Sequence, residues 1–136
     1  DPEMSRGLGD VYKRQLVIEA GSKETAIMLF NTVYQAMPST SGEDEPMMNV
    51  LVWKEQKNWI VCIFPRNKHR PSCYTAEGDT NILISPASVD MGGVFITPQE
   101  KDFEKITAND IADILGEVCL RPAAFRILIE RIKQQL

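Results

Sequence analysis

The sequence has little of the residue types that build metal centres, disulfide frameworks and membrane spans. Its 136 residues include one histidine, His69, and three cysteines, Cys62, Cys73 and Cys119. An odd number of cysteines without a Cys-x-x-Cys spacing predicts reduced thiols and leaves a zinc site without its usual ligands. The longest apolar run, residues 59–64, is much shorter than the about 20 residues that cross a bilayer. We therefore expect no metal site and no membrane span.

Nucleotide-binding signatures and a basic surplus are also missing. The sequence contains no Gly-x-x-x-x-Gly-Lys-Ser/Thr loop, no Gly-x-Gly-x-x-Gly turn, no Gly-x-Ser-x-Gly elbow and no His-Glu-x-x-His helix. The net charge of -4 argues against a nucleic-acid-binding domain, which usually carries excess lysine and arginine. No apolar core of a secretory signal occurs in the first 15 residues. The predicted setting is the cytoplasm, and we expect no cofactor, nucleic acid or membrane as a partner.

The first fifteen residues, DPEMSRGLGDVYKRQ, show neither helical nor strand periodicity. Their last six residues, DVYKRQ, resemble the translation of a transposase adapter used in sequencing libraries. That resemblance predicts a non-native leader at residues 1–15, and the alternative is an ordinary disordered N-terminus. We expect the fold to begin at Leu16, and residues 16–136 to form a single domain that is the C-terminal fragment of a longer protein.

The next part of the sequence predicts a strand, a helix and a hairpin. Residues 16–20 are apolar and partly β-branched, Ser22 is a suitable N-cap, and residues 23–37 place apolar side chains at helical spacing. Residues 49–53 and 59–64 are apolar runs on either side of a polar turn, which is the pattern of a β-hairpin. The second run has no polar face, so we expect it to be buried on both sides.

The second half predicts two further strands and a helical C-terminus. The apolar segments at residues 81–85 and 93–97 are strand candidates, and Asp90 between them is interpreted as a turn former rather than a site residue. Thr107, followed three residues later by an aspartate, is typical of a helix N-terminus, and Pro122 suits the first turn of a last helix. The predicted class is α+β: a mixed, mostly antiparallel sheet with flanking helices that cover one side of it.

The densest group of functional residue types directly follows the second hairpin strand. Arg66, Lys68, His69 and Arg70 lie there, and ligands often bind in loops at strand ends, where a rigid sheet positions them. The three fixed positive charges among them would suit a phosphate, which arginine can hold with two parallel hydrogen bonds. The alternative is a solvated basic loop that balances the acidic residues 43–45. A nucleophilic histidine needs a partner that orients its ring, so we predict no catalytic residue.

Two stretches of the sequence resemble known nucleotidyltransferase families. Asn49 and the apolar strand after it, followed by the run at residues 59–64 and a proline-arginine pair, resemble the C-terminal half of diadenosine tetraphosphate phosphorylases. The segment ISPASVDMGGVFI at residues 84–96, together with the closing helices, resembles the C-terminal region of GDP-L-galactose and GDP-D-glucose phosphorylases and their bacterial relatives. The resemblance covers residues 16–136.

The resemblance implies a histidine-triad-like half domain. In these families a histidine of a His-x-His motif attacks the α-phosphate, and phosphate or another acceptor then resolves the nucleotidyl-histidine. The motif is absent here and lies upstream in the families, so the implied partner is the missing N-terminal half of the same protein. The residues implied to face a sugar nucleotide or phosphate are Arg66, Lys68, His69, Arg70 and Asn49. The alternative function is a non-catalytic domain that binds a sugar nucleotide or a partner protein.

Overall fold

The computed structural model describes residues 14–39 and 44–136, which form a three-stranded sheet and five α-helices. The strands are β1 (Leu16–Ala20), β2 (Met48–Glu55) and β3 (Asn58–Pro65). The helices are α1 (Lys23–Ala36), α2 (Ser88–Met91), α3 (Glu100–Lys105), α4 (Ala108–Val118) and α5 (Pro122–Gln135). Two short 3-10 helices, Ser72–Tyr74 and Gly78–Thr80, lie between β3 and α2. This architecture confirms the predicted α+β class.

The sheet of the described residues is antiparallel and has the order β1-β3-β2. Val61 of the central strand lies opposite Ile18 of β1 and Val52 of β2. The predicted hairpin of β2 and β3 is confirmed, and its turn is shorter than the polar stretch of the sequence. Glu55 pairs with Asn58, so only two residues connect the strands.

Helices cover both faces of the sheet, whereas cover on one side was expected. On one face, residues such as Ile18 and Ile63 pack in a cluster with α1 and α5. On the other face, Cys62 and Phe64 pack in a second cluster with α2 and α4. The physical reason lies in β3: successive side chains point to opposite faces, and residues 60–64 are apolar at every position. Either face left uncovered would expose apolar surface to water.

The helix termini follow the predicted capping residues. Ser22 Oγ accepts a hydrogen bond from Thr25 N at 3.1 Å, which caps α1. At the start of α4, Thr107 Oγ1 accepts from Asp110 N at 3.1 Å, and the Asp110 carboxylate accepts from Thr107 N at 2.9 Å. Pro122 occupies the first position of α5. These bonds satisfy N–H groups that a helix leaves without a partner in its first turn.

The strand predicted at residues 81–85 is not formed. Ile82 N donates to the carbonyl of Cys73 at 3.0 Å, and Leu83 N donates to the Asp102 carboxylate at 2.9 Å. The backbone N–H groups of this segment therefore bond to a loop and to a side chain, and none of these bonds builds a ladder with a neighbouring strand. An apolar run predicts burial but does not by itself supply a strand partner.

The strand predicted at residues 93–97 is also not formed. Val94 N donates to the carbonyl of Val89 at 3.3 Å, and Ile96 N donates to the Asp90 carboxylate at 3.3 Å. The segment is thus held against α2, and Gly92 ends that helix as its C-cap.

β1 begins at Leu16, where the fold was expected to begin. Residues 1–13 lie outside the described residues, so the leader stays a prediction. Cys62 Sγ donates a hydrogen bond to Gln15 Oε1 at 3.5 Å, which places the last residue of the predicted leader beside the sheet. Across the two described ranges, no helix has the length and apolar character that crossing a bilayer requires.

Gln56 in the hairpin turn has a φ of 55°, a left-handed conformation that costs a residue with a Cβ roughly 1–2 kcal/mol. We expect Gln56→Gly to raise the free energy of unfolding by up to about 1 kcal/mol, because glycine relieves this cost and loses part of the gain through unfolded-chain entropy. Lys57→Gly is the matched control and should lower stability, because no such strain is relieved at that position. Urea denaturation measures both; greater stability of the Lys57→Gly protein would contradict the strain argument.

Candidate functional site

The predicted basic loop, residues 66–70, runs from the end of β3 along the C-terminal end of α4. Asn67 N donates to the carbonyl of Val118 at 2.7 Å, and Leu120 N donates to the carbonyl of Pro65 at 3.0 Å. The loop is therefore fastened to the chain segment in which α4 ends. Because carbonyl groups at a helix C-terminus carry partial negative charge, this position also favours the cationic side chains of the loop.

Arg66 lies inside the protein, with 6 % of its surface exposed. Its guanidinium donates five hydrogen bonds to protein oxygen atoms. The acceptors are the carbonyls of Val118 (3.3 Å), Pro86 (2.8 Å), Lys68 (3.0 Å) and His69 (2.7 Å) and the side-chain oxygen of Asn49. An arginine side chain has five N–H groups, so these bonds occupy all of them.

This geometry places Arg66 and Asn49 differently from the ligand-facing position that was expected for them. A phosphate could bond to the Arg66 guanidinium only by displacing one of its protein partners. Burial lowers the pKa of Arg66, whereas Cys119 and Asp90 nearby act to raise it, and an arginine keeps its proton in proteins. Arg66 is thus a buried cation that orients the loop backbone, with Asn49 as one of its acceptors.

Lys68 and Ser72 meet on the carboxylate of Glu117 in α4. Lys68 Nζ and Ser72 N donate to Glu117 Oε2 at 2.6 and 2.9 Å, and Ser72 Oγ donates to Oε1 at 3.1 Å. Burial acts to raise the pKa of Glu117, but the hydrogen bonds from Lys68 and Ser72 outweigh it and bring the pKa below its ordinary 4.5. Glu117 therefore anchors the far end of the loop as a charged carboxylate.

His69 and Arg70 are the members of the predicted set that lie exposed on the surface. The guanidinium carbon of Arg70 lies 4.3 Å from the ring centroid of Tyr74, a cation–π contact that orients the arginine. The carbonyl of His69 is held from inside by Arg66. The loop thus combines an anchored backbone with two outward-facing side chains.

A groove of about 470 Å³ adjoins the loop at Ser72. One wall consists of residues 72–73 and 78–82, and the other consists of Ile106 and several residues of α3 and α4. We call it the α3–α4 groove. In its wall, Asp102 is 3 % exposed and accepts from Lys101 Nζ at 2.7 Å. The hydrogen bond from Lys101 is the main cause that lowers the pKa of Asp102, against the opposing effect of burial.

Asp90 forms backbone contacts, as its interpretation as a turn former predicted. It is 8 % exposed, and its two carboxylate oxygens accept from Ala87 N at 2.8 Å and Ile96 N at 3.3 Å. These contacts hold the residues on either side of α2 in place. Asp90 also lies close enough to Arg66 to act on its pKa, so it belongs to the support of the loop.

Glu117 and Tyr74 contact the loop, and the sequence did not single them out. Glu117 lies 49 positions from Lys68, and a glutamate on a helix is usually a solvated surface residue. No local pattern could have revealed this contact. Tyr74 had a weak signal, because it follows Arg70 by four positions and arginine often stacks on aromatic rings.

Comparison with known proteins identifies the family. The family model described as GDPGP1-like, C-terminal domain, matches residues 11–136. The chain belongs to this family. No curated protein matches the chain, and no solved structure matches it. Membership relates the chain to the GDP-hexose phosphorylases and confirms the resemblance carried by residues 84–96 and the closing helices.

The described part of this GDPGP1-like domain offers no site for a metal ion. Within residues 14–39 and 44–136, no three His, Cys, Asp or Glu side chains are grouped so that they could hold one. The cysteines are thiols rather than disulfides. At the α3–α4 groove, burial and then the charge of Glu117 raise the thiol pKa of Cys73, so this thiol is protonated and a poor nucleophile at neutral pH.

We expect Arg66→Lys to lower the free energy of unfolding of the GDPGP1-like domain by at least about 2 kcal/mol. A lysine has three donors on a flexible stem, so several buried oxygens lose their hydrogen bonds. Arg126→Lys on the exposed side of α5 is the matched control and should change stability by less than about 0.5 kcal/mol. Urea denaturation measures both variants, and equal changes would refute the anchoring role of Arg66.

The lowered pKa of Glu117 predicts an acid-sensitive contribution to stability. Because its pKa in the folded protein lies below the ordinary 4.5, the contribution is complete above about that pH and is lost as pH falls through the folded-state value. Glu117→Gln should therefore lower the melting temperature at pH 7 and reduce its decline in acid.

The control is Glu130→Gln, whose side chain on α5 is 69 % exposed. It should leave both the melting temperature at pH 7 and the acid decline close to those of the unchanged chain. Thermal melts between pH 3 and pH 7 measure these profiles. If the melting temperature of Glu117→Gln falls between pH 7 and pH 3 as steeply as that of the unchanged chain, Glu117 does not stabilise the fold through its charge.

Proposed function

We propose that this chain is the phosphate-contacting C-terminal part of a nucleotidyltransferase-type phosphorylase that acts on a nucleotide sugar such as a GDP-hexose. Membership in the GDPGP1-like C-terminal domain family supports the substrate class. The proposed setting is the cytoplasm, which suits three cysteines in the thiol form. The proposed partner is the N-terminal half of the same protein.

The observation that carries the proposal is the arrangement of cations at the end of β3. Arg66 uses its N–H groups on the protein and holds the loop backbone. His69 and Arg70 face outward, and Lys68 is partly exposed beside them, with 42 % of its side chain accessible. Positive groups held in place in this way can stabilise the negative charge of a transferred phosphoryl group without reorganising.

The proposed division of labour leaves the covalent step to the N-terminal half. A histidine nucleophile requires a neighbouring group that orients its ring. His69 is the single histidine of the sequence, and its side chain makes no hydrogen bond to another described residue. We therefore assign no catalytic residue to this chain. In the proposal, His69, Arg70 and Lys68 contact the phosphates, and a histidine of a His-x-His motif in the N-terminal half attacks the α-phosphate.

The test compares nucleotide binding by this chain with binding by its Arg70→Ala variant. Calorimetry with GDP should show affinity about fivefold to tenfold lower for Arg70→Ala, because a charge-assisted hydrogen bond to phosphate is lost. Arg131→Ala on the exposed side of α5 is the matched control and should bind GDP like the unchanged chain. With GDP-glucose and phosphate, the chain alone should release no glucose 1-phosphate, because it lacks a histidine pair.

Three results would overturn this function. Equal GDP affinities of the Arg70→Ala and Arg131→Ala variants would remove the loop from the binding site. Release of glucose 1-phosphate by the unaccompanied chain would place a nucleophile within these residues. If the chain binds no nucleotide at all, the proposal fails, and the alternative of a protein-interaction domain takes its place.

A further inference from the structure

The α3–α4 groove is lined by more carboxylates than lysines, which is unusual next to a phosphate-binding loop. Two lysines, Lys101 and Lys105, and five carboxylates line it, namely Asp79, Asp102, Asp110, Asp113 and Glu117. Carboxylates accept hydrogen bonds, whereas ammonium groups donate them. A hydroxyl group does both, so a ligand with several hydroxyls can satisfy both kinds of side chain in one groove.

The groove also has an apolar side. Ile82, Ile106 and Ile114 line it together with the polar residues. Ligand sites commonly combine apolar walls with a few convergent polar groups that fix orientation. A pyranose ring matches such a lining, because its C–H faces are apolar and its hydroxyls lie around the ring edge. The groove volume of about 470 Å³ falls within the range of about 300–1,000 Å³ that is typical of small-molecule sites.

Several polar groups of the groove are still available to a ligand. Asp102 and Glu117 are engaged by Lys101, Lys68 and Ser72. The side chains of Asp113 and Lys105, by contrast, make no hydrogen bond or ion pair with other described residues and are exposed at the groove. They offer one acceptor group and one donor group to an incoming molecule.

The groove and the basic loop are adjacent and have opposite charge. Ser72 lines the groove, and Glu117 bonds to both Ser72 and Lys68, so the two regions share a border. Five carboxylates in the groove disfavour an anionic phosphate, whereas the exposed cations of the loop favour one. A ligand with one anionic end and one hydroxyl-rich end is thereby oriented across this border.

We propose that the α3–α4 groove binds the hexose of the nucleotide sugar, while its phosphates lie on the loop of residues 68–70. This assignment rests on the proposed function for the phosphate end and adds a specificity site for the sugar end. Asp113 accepts hydrogen bonds from hexose hydroxyls, and Lys105 donates one to a hydroxyl oxygen.

The experiment is an NMR titration of the isotope-labelled chain with inorganic phosphate, glucose 1-phosphate and methyl glucoside. Glucose 1-phosphate should shift the backbone amides of the groove and of the loop, whereas phosphate should shift those of the loop alone. We expect glucose 1-phosphate to bind about tenfold more tightly than phosphate, because hydrogen bonds of sugar hydroxyls to charged groups add to the affinity. Asp113→Asn should remove most of this advantage and leave phosphate binding unchanged.

Glu130→Gln, outside the groove, is the control and should keep the advantage of glucose 1-phosphate. The groove assignment is overturned if every ligand shifts only the amides of residues 67–70. It is also overturned if Asp113→Asn still binds glucose 1-phosphate more tightly than phosphate. Neither result contradicts phosphate binding by the basic loop. Groove shifts with methyl glucoside, without any phosphate binding, support the groove and contradict the proposed function instead. Absence of shifts in both regions overturns both.

Discussion

The buried guanidinium of Arg66 is the interaction on which the candidate site depends. At the end of β3 the chain leaves the sheet, and the Arg66 guanidinium donates to the carbonyls of Lys68, His69 and Pro86, the last of these in a buried hydrogen bond. A buried carbonyl without a donor costs about 1–3 kcal/mol. Arginine carries more N–H donors than any other side chain, so one residue satisfies several such carbonyls and joins the loop to α4. The nearby carboxylate of Asp90 and the carbonyls that end α4 offset its charge.

That arrangement separates the side chains of the loop into two kinds. Arg66 donates its N–H groups to the protein, whereas the side chains of His69 and Arg70 are exposed on a backbone that Arg66 holds by hydrogen bonds. On the far side of Glu117 the surface becomes acidic and rich in hydrogen-bond acceptors. The change from cationic loop to carboxylate-lined groove occurs over the short distance between Lys68 and Ser72, and it matches the polarity of a sugar phosphate.

The sheet determines where the loop begins and which helix reaches it. β3 is apolar on both faces and central in the sheet, so two separate helix pairs cover it. The loop therefore starts from the central strand of the sheet, and α4, which packs on one face, carries Glu117 to it. Two apolar segments that looked like further strands are instead held by Asp102 and Asp90. Apolar runs of strand length signal burial, and only the positions of donors and acceptors around them decide whether a ladder forms.

The sequence alone determined the elements with a strong local period, their caps at Ser22 and Thr107, the hairpin and the presence of a basic loop after β3. It also carried the resemblance to the GDP-hexose phosphorylases. Only the tertiary structure decided that Arg66 points inward, that Lys68 pairs with a glutamate 49 positions away, and that helices cover both faces. The reason is physical: periodicity and capping act between neighbours in the chain, whereas the direction of a charged side chain depends on which distant acceptors the packing brings within reach.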